Sequence, residues 1–132
     1  RRNTDETLLV AAEENLAAFV ADLAGKEGVS VNDRQLARFE PVHFDPRVID
    51  TVSRVAHELG HSVLTIPSGA GHDAQMMARV CPTGMIFVPS RDGISHNPAE
   101  HTDPADLIAG CDVLLQTMLA FDQAGFGSEG TT

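Results

Sequence analysis

Two short stretches hold residue types that can do chemistry. The first is Gly69-Ala70-Gly71-His72-Asp73, between an apolar run ending at Ile66 and the start of a helical stretch. In α/β sheets, ligands bind where a strand end gives way to a helix. Glycines there let a substrate approach the backbone, and free N–H groups at a helix start can hold an anion or a developing oxyanion. His72 would stand at the mouth, with Asp73 able to orient it. The same residues also suit a tight turn with a capping Asp and a surface His.

The second stretch is Ser95-His96-Asn97-Pro98, followed by Glu100 and His101. A neutral imidazole is a good metal ligand, and a neighbouring carboxylate can fix its tautomer. A zinc site needs three or four ligands, and no HExxH or paired CxxC supplies them here. His57 and His61, at i and i+4 on a helix end, and His43 read as solvated residues. The chain has no Gly-x-Ser-x-Gly nucleophile turn, no phosphate-binding loop with its Lys, and no dinucleotide fingerprint.

The elements that must position these residues follow from periodicity. A helix is expected over about residues 4–24, capped by Thr4 and carrying Leu8, Leu9, Leu16, Phe19 and Leu23. Val29–Val31 and Leu36–Glu40 read as strands. Asp45-Pro46 opens a second helix that ends at Gly60. Val63–Ile66 and Gly84–Val88 read as buried strands covered on both faces. A third helix is expected over 72–80. After an irregular stretch at 89–103, Asp103-Pro104 opens a last helix with a strong apolar stripe from Leu107 to Leu119. The alternation points to an α/β fold, a mixed sheet with helices packed on it.

Composition narrows the function classes. The chain has 132 residues, 42% of them hydrophobic, and a net charge of −10. That balance argues against binding nucleic acid or an anionic membrane surface. No uninterrupted apolar run reaches membrane-spanning length, which speaks against a transmembrane segment. Cys81 and Cys111 lie in apolar settings and read as buried thiols in a cytoplasmic protein. The chain opens Arg1-Arg2-Asn3 with no Met and almost directly on a helix, so it reads as part of something longer.

Three motifs in order, Ile66-Pro67-Ser68-Gly69-Ala70-Gly71-His72-Asp73-Ala74, Met85-Ile86-Phe87-Val88-Pro89-Ser90 and Gly93-Ile94-Ser95-His96-Asn97-Pro98-Ala99-Glu100, resemble the C-terminal part of the N-carbamoyl-L-amino-acid hydrolases. That family includes allantoate amidohydrolases and beta-ureidopropionases, within the zinc aminoacylase/carboxypeptidase superfamily. The resemblance implies a two-domain, metal-dependent amidohydrolase that cleaves a C–N bond of a carbamoyl- or ureido-substituted amino acid. Residues 1–40 would end the lid and dimerisation domain, and 41–132 would form the C-terminal part of the catalytic domain.

By resemblance, His96 matches a metal ligand, for zinc or manganese. Gly71 and His72 match a substrate-contacting pair, with His72 also catalytic through oxyanion stabilisation. Arg2 matches a lid arginine that binds the substrate carboxylate in a partner subunit of a homodimer. Glu100 would support the site from behind. Water activated by the metals would attack the carbonyl, with a glutamate outside this chain as base. The remaining ligands and that glutamate lie in a half of the family's chain that has no counterpart here. The chain alone is therefore expected to be inactive and to self-associate through uncovered apolar faces. The alternative is a non-catalytic α/β module for oligomerisation or small-molecule binding.

Overall fold

The computed structural model describes residues 4–125, and their regular structure is helical: α1 (Glu6–Glu27), α2 (Pro46–Glu58), α3 (Ala74–Met77) and α4 (Pro104–Ala124), with one 3₁₀ turn at Arg91–Gly93. No β-strand occurs among the described residues, which overturns the expected mixed sheet. An apolar or alternating run reports a preference for extended, covered backbone. It becomes a strand only when a neighbouring segment takes up its N–H and C=O groups. No ladder among the described residues joins Val29–Val31, Leu36–Glu40, Val63–Ile66 or Gly84–Val88. Nor are the last two runs covered on both faces, since Leu64 is 80% exposed and Phe87 55%.

The described residues fall into two compact units. The first comprises the chain up to His43 together with Pro67–Gly71, and the second comprises Phe44–Ile66 and the chain from His72 onward. In the first unit, α1 starts one residue later than Thr4 suggests. Asp5 is the cap, and its carboxylate accepts from the N–H groups of Thr7 and Leu8 at 2.8 and 3.2 Å. The helix runs through Gly25 and stops at Gly28, whose φ of 65° is the left-handed conformation that a helix terminus favours glycine for. Arg38 reaches back onto this helix, its Nε 3.0 Å from Glu13 and its Nη2 on Glu6. Hydrogen bonds to Glu6 and then Glu13 raise the already high pKa of this guanidinium.

The second unit is built on α2 against α4. Asp45 caps α2 by accepting the Arg47 N–H at 2.8 Å, with Pro46 in the first turn. Val55, Ala56 and Val113 form the buried centre, and Val52, Val63 and Ile86 pack around it. Two glycines allow the 84–88 segment to lie close to both helices. A Cβ on Gly84 would stand 2.7 Å from Val48 Cγ1, and one on Gly110 would stand 2.5 Å from Val88 Cγ1.

α4 is a long helix with little of its apolar surface covered. At 21 residues it is long and apolar enough to cross a membrane by length and composition, although Asp106 and Asp112 break every uninterrupted run. Val113 and Thr117 are nevertheless buried, Val113 in the centre shared with α2. Most of its apolar stripe is open, with Ile108 and Met118 each 62% exposed. Both cysteines are exposed rather than buried.

Candidate functional site

His72 stands just before α3, which is a single turn of four residues rather than the longer helix the periodicity implies. Asp73 makes no capping bond. Instead the His72 ring acts as the cap, its Nδ1 accepting the Ala74 N–H at 3.0 Å. The next two N–H groups are also taken, Gln75 by the His72 carbonyl and Met76 by that of Asp73. An anion-holding set of free N–H groups is therefore not what this helix start offers. What it offers is a defined tautomer. With Nδ1 occupied as an acceptor, the neutral ring carries its proton on Nε2 and can donate it in a hydrogen bond.

His72 lines a cavity of about 590 Å³ in the second unit, together with Val48, Met85, Leu114 and Thr117. Thr117 is a lining residue that the periodicity does not single out. Its Oγ1 is buried and has no partner among the described residues. The only signal in the sequence is a hydroxyl interrupting an otherwise apolar helix face.

Gly71 directly precedes His72 in the chain but clusters with the first unit. A Cβ there would meet nothing within 4 Å, and the backbone is not left-handed. Neither packing nor conformation among the described residues demands glycine at 71. Arg2, the expected carboxylate clamp, lies outside the described residues.

His96 occupies the stretch between Val88 and α4. Its base is closed by the Arg91 N–H donating to the His101 carbonyl at 2.8 Å and by the Ser90 hydroxyl donating to the carbonyls of Ile94 and His101. Asp103 receives both Arg91 Nη2 and His101 Nε2 at 3.1 Å, so its carboxylate serves this stretch and makes no capping bond on α4. His96 itself is left-handed, with φ 55°. Its backbone N–H donates to Glu100 Oε2 at 2.8 Å. Glu100 thus meets His96 through the backbone and not through the ring. His96 lines neither the cavity described above nor one of about 530 Å³ beside Phe44 and Ile66.

The donor chemistry does not assemble a metal centre: among the described residues, no three His, Cys, Asp or Glu side chains gather to hold an ion. His101 is bonded to Asp103, and His96 contributes one imidazole.

Residues 6–120 match the family described as Peptidase family M20/M25/M40. The chain belongs to that family. Among its M20 relatives, it is 37% identical over 118 residues to an N-carbamoyl-L-amino-acid amidohydrolase of Rhizobium meliloti, covering 89% of this chain and 28% of that protein. It is 35% identical over 117 residues to an allantoate amidohydrolase of Bacillus subtilis, again 89% and 28%. A solved structure from Burkholderia multivorans, described as an amidase of the hydantoinase/carbamoylase family, superposes with a TM-score of 0.85 at 40% identity. It covers 90% of this chain and 29% of that one. This M20 chain therefore spans under a third of the length of the relatives it matches.

Proposed function

We propose that the protein carrying this chain hydrolyses the C–N bond of an N-carbamoyl or ureido amino acid, with this segment supplying part of the substrate site. The relatives' activities support the substrate class. The observation that carries the site reading is His72, which presents an Nε2–H donor fixed by its Nδ1 bond to Ala74. A donor of this kind suits a carbonyl oxygen that gains charge as the C–N bond is attacked. Gly71 is proposed, from the resemblance, to contact the substrate.

His96 is proposed as one donor to a divalent ion, zinc or manganese. The described residues bring no other donors to it, and the segment alone is proposed to be inactive. Arg2 is proposed to grip the substrate carboxylate bidentately, and residues 1–40 to belong to a dimer-forming lid. The open stripe of α4 supports self-association of the isolated chain. The relatives' metabolic reactions and the two free thiols support a cytoplasmic setting.

The test is turnover by the full-length protein of a panel of N-carbamoyl-L-amino acids, allantoate and unmodified dipeptides. Ammonia release from the first two and no free amino acids from the dipeptides are expected. Activity confined to dipeptides would overturn the substrate class.

A further inference from the structure

We propose that Glu100 is the positioning residue of His96: its carboxylate accepts the His96 backbone N–H and thereby holds residue 96 in the left-handed conformation that sets the direction of the imidazole. The bearing of this on catalysis rests on the reading of His96 as a site residue. The conformational claim stands on the geometry alone.

A β-carbon in the left-handed region crowds the following carbonyl, which disfavours that conformation by roughly five- to thirtyfold for a residue such as histidine. Something must compensate at His96, whose φ is 55°. The imidazole does not, since it makes no hydrogen bond among the described residues. The compensation comes from a short turn that follows. The Glu100 N–H bonds the Asn97 carbonyl at 2.9 Å, and the Asn97 side-chain oxygen accepts the Ala99 N–H at 2.9 Å. Pro98 restricts the backbone between them.

This turn carries the Glu100 side chain back over residue 96, where Oε2 takes the N–H at 2.8 Å. A charged acceptor makes a stronger bond than a neutral one. Aspartate would be one methylene short, whereas glutamine keeps an oxygen at the same reach. The base of the stretch is closed independently by Ser90, Arg91, His101 and Asp103. Loss of Glu100 should therefore release residue 96 without opening the whole segment.

The experiment is amide hydrogen exchange at residue 96 in the full-length protein, with turnover of an N-carbamoyl-L-amino acid measured alongside. Glu100→Ala should speed exchange of that amide by about tenfold or more, and Glu100→Gln should largely restore protection. In a His96→Gly background, where the left-handed conformation carries no penalty, Glu100→Ala should have a smaller effect. Unchanged exchange in Glu100→Ala, or an equal effect with His and Gly at 96, would overturn the proposal. In turnover, Glu100→Ala should lower kcat with little change in KM, and Glu100→Gln should recover it. Wild-type turnover together with an unaffected Glu100→Ala enzyme would remove the positioning role. Absence of turnover in the wild type would sink the functional reading while the exchange results still decide the conformational claim.

Discussion

The contact between Gly110 and Val88 anchors the start of the His96 segment to α4, and two opposed effects can be weighed there. Gly110→Ala improves helix propensity by about 1 kcal/mol, because alanine loses less backbone entropy in a helix interior. The added methyl, however, would stand 2.5 Å from Val88 Cγ1, where carbon atoms prefer about 3.5–4.0 Å. Valine is stiff at χ1 and cannot swing aside cheaply. Overfilling a packed site typically costs about 1–3 kcal/mol. The clash should win, and Gly110→Ala should destabilise by about 1 kcal/mol net.

Removing the obstacle reverses the sign. In a Val88→Ala background the same substitution should stabilise by up to about 1 kcal/mol. Urea unfolding followed by circular dichroism, across the four members of the cycle, gives both numbers. The difference between backgrounds should exceed the roughly 0.3–0.5 kcal/mol within which independent sites add. Equal stabilisation by Gly110→Ala in both backgrounds would refute the contact.

Two other expectations follow from the second unit. The Arg47 guanidinium, through a hydrogen bond to Asp45, holds that carboxyl below the usual carboxylate range. A depressed folded-state pKa stabilises above the unfolded value, and that stability fades as pH falls through the folded value. Acid titration of α2 helicity should therefore show loss below the ordinary aspartate range of about 3.8–3.9, and Asp45→Asn should remove that component; an unchanged acid limb would contradict it. The exposed stripe of Ile108, Leu115 and Met118 predicts that the isolated chain's apparent mass in light scattering rises with concentration, and a constant monomer mass would contradict it.

The helices were legible because each carries its own signals. Asp45-Pro46 at the start of α2 and the apolar stripe of α4 are local facts about capping and periodicity. The Val63–Ile66 and Gly84–Val88 runs misled because a strand is a relation between segments, and the residues of one run do not name its partner. Gly110 and Gly84 look alike in a sequence, yet their role as close-approach points depends on Val88 and Val48 across the fold.

Within the candidate site, the role expected of Glu100 came from the resemblance alone. Its bond to the His96 backbone was not legible in the sequence, because it depends on a left-handed φ at a non-glycine residue. The His72 ring acting as a cap also escaped notice. Asp73 is the better capper by residue type, but its backbone is already helical, with φ −59° and ψ −23°, and a cap residue needs an extended one.

The most direct test of the account is the effect of His96→Ala on turnover of an N-carbamoyl-L-amino acid by the full-length protein, with circular dichroism confirming an unchanged fold. The account predicts loss of all but a trace of wild-type turnover. Activity equal to wild type in a correctly folded variant would contradict it.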